Sequence, residues 1–305
     1  MEKEPFAVSL ARAEDARNLE EAREAARTRK DRKVKYPAWW TAITPYSGGK
    51  QRAHLRKFVT DHLPTEDIDI YVEPFAGAAS IFLARPRVEQ EVLIERCRHQ
   101  WALLTTLRDQ PERLVTALAN YPVKAEPHLF QIAKESLLEG RCVDELDLAK
   151  CQLIRNALSV NAKGESYRPS SVMTASGEVR TRPSLKKIVT TAAKSSPRLK
   201  GVEILNADCV PLLTDYDSPK TMFYVDPPYL HSTRSTKKLY NHEMSDDDHE
   251  RLLKAIVKLE GKVAISGFDN DLYNDYLPLG RWRKAYHVCT PVNKEKVEVL
   301  WMNYR

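Results

Sequence analysis

The sequence predicts an α/β protein with a mainly parallel sheet whose two parts are separated by a long insertion. Three observations carry this. Short apolar runs at 68–72, 91–94, 202–205, 221–225 and 262–265 read as buried strands, each closed by polar or turn residues. The order strand, small-residue turn, helical run, strand, acid over residues 68 to 95 has the form of a βαβ unit for a nucleoside cofactor. About a hundred residues then follow before the strand pattern resumes, with apolar residues at helical spacing, such as Leu146, Leu153, Ile154 and Leu158.

Taken in order, residues 1–35 are rich in Ala, Arg and Glu and predict an exposed helix or charged N-terminal arm. Tyr36-Pro37-Ala38-Trp39-Trp40 opens the globular part, and 36–108 forms its first half. Within it, Pro45-Tyr46-Ser47-Gly48-Gly49-Lys50 is a glycine turn leading into a helix through Leu55, Phe58 and Val59. The strand at 68–72 runs into Glu73-Pro74-Phe75-Ala76-Gly77-Ala78-Ala79-Ser80, with Ile81 to Ala84 expected as helix, and the next strand ends at Glu95. Residues 109–200 form the insertion. It is expected to be mainly helical to residue 160 and loop-rich or irregular β from 161, where Gly164, Pro169, Gly177 and Pro183 break the periodicity. The second half, 201–305, contains Asn206-Ala207-Asp208 after one strand and Asp226-Pro227-Pro228-Tyr229 after the next. Ser245-Asp246-Asp247-Asp248 then caps a helix, and an alternating run over 297–304 forms a closing strand.

Composition narrows the function classes. A 305-residue chain with 42% hydrophobic and 30% charged residues has the balance of a folded domain. No apolar stretch nears the roughly 20 residues of a membrane span, and Met1-Glu2-Lys3-Glu4 lacks a signal-peptide pattern, so a cytoplasmic protein without a membrane partner is expected. The five cysteines, Cys97, Cys142, Cys151, Cys209 and Cys289, form no C-x-x-C pair and predict reduced, mostly buried thiols and no metal site. Net charge is +6, but residues 150–200 alone hold eleven Lys or Arg against Glu165 and Glu178, a net of +9. Such clustering suits a phosphate-backbone surface; a solvated basic face is the competing reading.

The turn after the first strand needs close backbone approach, which Gly77 permits, yet it is not G-x-G-x-x-G. Glu73 would repel a phosphate, whereas S-adenosylmethionine, cationic at sulfur and amine, would accept an acid there. Glu95, 18 residues beyond Gly77, matches the spacing of an acid that holds ribose hydroxyls, with an ordinary surface acid as the alternative. Asp226 stands where ligands sit in open α/β sheets, just beyond a strand's carboxyl end. Its carboxylate and the Pro227 carbonyl suit the two N–H groups of a planar exocyclic amine, Pro228 stiffens the backbone, and Tyr229 offers a face to an extruded base. An ordinary turn with Asp226 as a helix cap remains open for these four residues. His231 and His249 are expected to serve surface or packing roles.

Together these motifs resemble the Dam-like, D12-class family of DNA adenine-N6 methyltransferases over most of residues 42 to 305. Pro45 to Lys50 is similar to the family's N-terminal cofactor motif, Glu73 to Ser80 to its first Rossmann motif, and Asp226 to Tyr229 to its catalytic motif. Thr233-Arg234, Tyr240, Glu243-Met244, His249 and the terminal Val299 to Tyr304 are similar too. The resemblance implies a Rossmann-like methyltransferase core with an inserted target-recognition domain. It implies S-adenosyl-L-methionine as cofactor, adenine in double-stranded DNA as substrate, and assembly no larger than a monomer or weak dimer. It also allows a cognate restriction endonuclease as partner. By the same resemblance Tyr46, Lys50, Glu73, Phe75, Gly77, Glu95, Asp208 and Asp226 form the cofactor site, with Glu95 on the ribose and Asp208 on the adenine edge. Asp226, Pro227, Pro228 and Tyr229 are implied to be catalytic. The sequence departs from the family at Ala78 and Ala79, where glycines are common, and at Glu95, where Asp is usual. Methylation of cytosine N4 or of RNA adenine, or a catalytically silent DNA-binding relative, are the alternatives.

Overall fold

The computed structural model describes residues 6–28, 44–46, 50, 52–174, 177–233, 242–289 and 295–305. Ser47 to Gly49, the segment from Tyr36 to Trp40, Arg234 and Tyr240 lie outside them. Helix α1 (Phe6–Thr28) precedes α2 (Ala53–His62), β1 (Ile70–Glu73) and β2 (Gln90–Ile94). Four helices follow: α3 (Arg98–Asp109), α4 (Pro111–Leu118), α5 (Glu126–Leu138) and α6 (Glu145–Ala157). A hairpin of β3 (Ser171–Met173) and β4 (Val179–Thr181) leads to α7 (Leu185–Ala192) and α8 (Ser196–Leu199). The chain then returns to the sheet with β5 (Glu203–Leu205), β6 (Thr221–Val225), α9 (Asp246–Ile256), β7 (Lys262–Phe268), α10 (Asp271–Tyr276), β8 (Arg283–Cys289) and β9 (Lys296–Met302).

Seven strands form one sheet in the order β5-β2-β1-β6-β7-β9-β8. The first five are mutually parallel, and β9 runs antiparallel between β7 and β8. Every residue of β6 is buried, which is why Thr-Met-Phe-Tyr-Val reads as an unbroken apolar run rather than an alternating one. From β1 the chain passes to β2 and β5 on one side; β6 and β7 lie on the other. The switch point therefore falls between β1 and β6, and their carboxyl ends, Glu73 and Val225, open a crevice where ligands of such sheets bind.

The insertion does not form a separate core. One apolar cluster joins Tyr71, Leu93 and Met222 of the sheet to Leu114, Phe130, Leu153 and Val189 of the inserted helices. The expected helices over 97–160 are present. Of 161–200, expected as loops or irregular β, the hairpin is β, but 185–192 is helical. Ser184 caps that helix by accepting from Lys187 N at 3.3 Å, and its apolar Leu185, Val189 and Ala192 are buried. Ser245 and Asp248 make the capping box that the Ser-Asp-Asp-Asp run predicts, holding the start of α9. His249 of that helix is buried, its Nδ1 2.9 Å from the Tyr273 hydroxyl, as a packing role requires. Helix α1 docks on β8: Asp15 accepts from the Tyr286 hydroxyl at 2.7 Å, and Arg23 pairs with Glu295 at 3.2 Å. Cys97 and Cys209 are buried, the other three cysteines are partly so, and all five are free thiols. No helix among the described residues is long and apolar enough to cross a membrane.

Candidate active site

Two clefts meet at the switch point, and Tyr46 lines both. The first is walled by the turn after β1 and by the residues beyond β2, β5 and β6. Its lining includes Phe75, Gly77, Glu95, Asp208, Asp226 and Pro228. Of the residues expected at a cofactor, Tyr46, Phe75, Gly77, Glu95, Asp208 and Asp226 thus converge, whereas Glu73 and Lys50 line neither cleft.

The turn itself departs from the expected helix. Residues 82–84 make only a 3₁₀ turn, because the chain reverses through two left-handed positions, Gly77 at φ +50° and Ala79 at φ +52°. Gly77 needs its missing side chain: a Cβ there would lie 2.9 Å from Tyr46 Cε1. Ala79, where a glycine is the family habit, accepts the strained conformation while fully buried. Glu73 is turned into the protein, where its Oε2 accepts from the Tyr71 hydroxyl at 2.7 Å and from Phe82 N at 3.0 Å. Burial pushes its carboxyl up to about 8, against the pull of those two donors. Glu73, expected at the cofactor, does not line the first cleft; it pins the turn that walls it.

Glu95 ties that turn to the end of β2. Its Oε2 accepts from Gly77 N and its Oε1 from Cys97 N, both at 2.8 Å, and burial raises the group to about 7. Each carboxylate oxygen keeps a lone pair for a further donor. Asp208 accepts from Val210 N and pairs with Arg251 at 2.6 Å. Burial opposes its ionisation, but these partners outweigh it and hold the carboxyl below its ordinary range.

Lys50 reaches the Asp226–Tyr229 motif instead of the wall of the first cleft. Its ammonium donates to Asp226 Oδ1 at 2.5 Å and to the Tyr229 hydroxyl at 2.7 Å, and lies 3.1 Å from Glu298 Oε1. Tyr229 in turn donates to Glu298 and packs edge-on against Phe268, with ring centroids 4.9 Å apart. Tyr229 is therefore buried and committed on its hydroxyl, and it lines neither cleft; the expected open face for a base is not what its ring presents. Pro227 is buried and Pro228 reaches the first cleft. Burial raises the Glu298 carboxyl while Lys50 opposes the shift. Glu298 was not singled out by sequence reasoning; the available signal is a lone acid inside the apolar run Val297 to Met302.

The second cleft lies on the other side of Tyr46, between the sheet and the insertion. Its floor includes Phe268 and Glu298, and its walls carry Arg52, Arg168, Arg182, Lys187 and Lys296. Only three of the eleven basic residues of 150–200 thus line it. Arg182 is buried against Glu126, and Arg198 makes a two-pronged pair with Glu91 at 2.6 and 2.7 Å. Two of the eleven are thus paired with buried acids inside the protein, while Arg52 and Lys296 come from outside the insertion. The β3–β4 hairpin, rooted beside Arg182, exposes Val172, Met173 and Val179.

No curated protein matches the sequence. Among solved structures the chain is similar to an rRNA methylase from Streptococcus thermophilus, at 12% identity over 82% of this chain and 94% of that one, with a TM-score of 0.34. It is also similar to the rRNA methyltransferase aviRa from Streptomyces viridochromogenes, at 12% identity over 90% and 88%, with a TM-score of 0.35. Likeness this slight decides nothing about substrate. The profile described as D12 class N6 adenine-specific DNA methyltransferase matches residues 46–277, about three quarters of the chain and all of both clefts' shared wall, and the protein belongs to that methyltransferase family.

Proposed function

We propose that the protein methylates N6 of an adenine in double-stranded DNA, with S-adenosyl-L-methionine as the methyl donor. The observation that carries the reading is that Asp226 lines one of two chemically different clefts and is joined through Lys50 to Glu298, which lines the other. One is small and acid-lined and the other large and basic.

The first cleft fits a cationic nucleoside without phosphates. Glu95 and Asp208 line it, its Arg251 is already paired to Asp208, and the bare Cα of Gly77 leaves room against Tyr46. Glu95 would take the ribose hydroxyls on its remaining lone pairs, and Phe75 would pack on the base. When bound, S-adenosylmethionine supplies an electrophilic methyl group. The exocyclic amine of adenine is a poor nucleophile because its lone pair is shared with the ring. Asp226 Oδ1 is occupied by Lys50, so Oδ2 is the atom left to accept one amine N–H. The carbonyl of Pro227, fixed by the adjoining proline, would accept the other. Two acceptors draw the nitrogen toward tetrahedral geometry, and the gain is one of positioning and electrostatics. After transfer, the surplus proton on N6 has Asp226 Oδ2 as its nearest acceptor.

The basic cleft suits the phosphate backbone, and an adenine must leave the duplex to reach Asp226. The hairpin's exposed apolar residues are suited to wedge against an unstacked step. The test is to incubate the protein with labelled S-adenosylmethionine and unmethylated genomic DNA and identify the modified base by mass spectrometry. N6-methyladenine is expected; label on cytosine alone, or on RNA alone, would sink the proposal.

A further inference from the structure

We propose that Glu298 is a positioning residue for methyl transfer: it engages Lys50 and Tyr229 so that the cluster keeps one net negative charge at Asp226. The inference rests on the proposed function, but on a residue outside the segment 46–277 that defines the family.

An ammonium has three N–H donors. In Lys50 they meet three acceptors: Asp226 Oδ1, the Tyr229 oxygen and Glu298 Oε1. The three groups are largely buried, with the Lys50 side chain 3% exposed, Glu298 6% and Asp226 15%. Charges this deep act on one another with little screening. Lys50 and Asp226 alone would sum to zero, and the carboxylate would be a weakened acceptor. Burial works against ionising Glu298, but its Oε1 faces the Lys50 ammonium and accepts from the Tyr229 hydroxyl, and both favour the carboxylate. With Glu298 ionised the sum is −1. Tyr229 completes the arrangement, since it accepts from Lys50 and donates to Glu298, so its hydroxyl cannot compete for Asp226.

The reaction makes this surplus useful. The N6–methyl bond forms as the sulfur–methyl bond breaks, and the positive charge moves from sulfur to N6 before the extra proton departs to Asp226. A cluster carrying −1 beside N6 favours that displacement of charge; a neutral one does not. Lys50 meanwhile fixes Asp226 by a single oxygen and leaves the other for the substrate.

Glu298→Gln keeps the shape and removes the charge. At saturating cofactor and DNA, its single-turnover rate is expected to fall about 10- to 100-fold, with cofactor affinity within about threefold of wild type. An unchanged rate overturns the proposal, whereas failure of the wild-type protein to methylate any amine would overturn the proposed function instead. The second arm is a double-mutant cycle with Lys50→Met. By denaturation of the protein without cofactor, Lys50 and Glu298 should couple by at least tenfold in the unfolding constant. Lys50→Met/Glu298→Gln should also transfer no more slowly than Lys50→Met, because Asp226 then has no cation to offset. A further tenfold fall, or no coupling, overturns the proposal, and the double variant decides the matter even where Glu298→Gln alone does not fold.

Discussion

Asp226→Asn replaces one oxygen of the proposed acceptor by an NH₂ and changes almost nothing else in volume. Lys50 requires an acceptor at 2.5 Å, so the carboxamide oxygen will take the Oδ1 place and the NH₂ will occupy that of Oδ2. A donor then faces the amine of the target base. Loss of a preorganised transition-state partner costs about 10²- to 10⁴-fold in rate, or roughly 2.7 to 5.5 kcal/mol. Stability should suffer less. Removing one partner of a buried pair usually strands a charge at a cost of about 3 to 5 kcal/mol, but here Glu298 still balances Lys50 at 3.1 Å. The loss is nearer one charge-assisted hydrogen bond, about 1.5 to 3 kcal/mol. Single-turnover transfer from labelled cofactor, measured alongside DNA affinity and urea unfolding, separates these effects. A variant that transfers within tenfold of wild type, or one that loses DNA binding together with activity, would refute the role assigned to Asp226.

Four further outcomes follow from the same geometry. Gly77→Ala places a methyl 2.9 Å from the Tyr46 ring at a left-handed position, so cofactor affinity by calorimetry should weaken about tenfold and stability should drop by about 1 to 2 kcal/mol; unchanged affinity would mean that Tyr46 and Gly77 do not shape the site. Glu95 has a raised pKa of about 7, and its ionised form is the better acceptor for hydroxyls. Cofactor binding should therefore tighten as pH rises from 6 to 8, by up to about tenfold, and a pH-independent affinity would exclude Glu95 from the ribose. Because its folded pKa of about 7 lies above the ordinary carboxylate value, the same group costs the cofactor-free protein stability progressively from about pH 4.5 to 7 and no more above that. Glu95→Gln should reduce this loss without abolishing it, since Glu73, raised to about 8, acts with the same sign. Of the cations lining the second cleft, Arg52, Arg168, Lys187 and Lys296 are not engaged by a buried acid among the described residues as Arg182 is, so a log–log slope of DNA affinity on salt near −3 to −4 is expected. A flat response would remove the cleft as the phosphate surface.

The parts of the fold legible in the sequence are those where burial imposes a local pattern. β1, β2, β6 and β7 lie inside a parallel sheet and announce themselves as apolar runs. β8 at the sheet's edge escaped, because Arg283, Lys284 and His287 interrupt it and its pairing with β9 is a tertiary fact. Helix α7 was hidden by the neighbouring Gly177 and Pro183, although Leu185, Val189 and Ala192 keep helical spacing. Of the site, positions set by a strand end were legible: Gly77, Glu95, Asp208 and Asp226. What Lys50, Glu73 and Tyr229 touch was not, since each is decided by a partner on another element or by the direction of a side chain. Charge counting misled for the same reason, as composition cannot show that Glu126 and Glu91 consume Arg182 and Arg198.

The insertion's share of the apolar core explains how two clefts built from distant stretches of sequence stay in register. Gly77 O accepts from Gln100 Nε2 at 2.7 Å, and Gln100 Oε1 accepts from Gln152 Nε2 at 3.1 Å. Gln152 is on α6, one turn before Asn156, which lines the basic cleft. Both glutamines are buried; Gln152 Oε1 has no hydrogen-bond partner among the described residues, but turning Gln100 would in addition leave Gly77 O and Gln152 Nε2 without the bonds they make to it. The turn that touches the first cleft is thereby fixed to the helix that walls the second. Methyl transfer needs its two reactants placed to within a fraction of an ångström. An insertion joined to the core only by flexible connections could not hold that tolerance; one that shares the core's packing and this amide chain can.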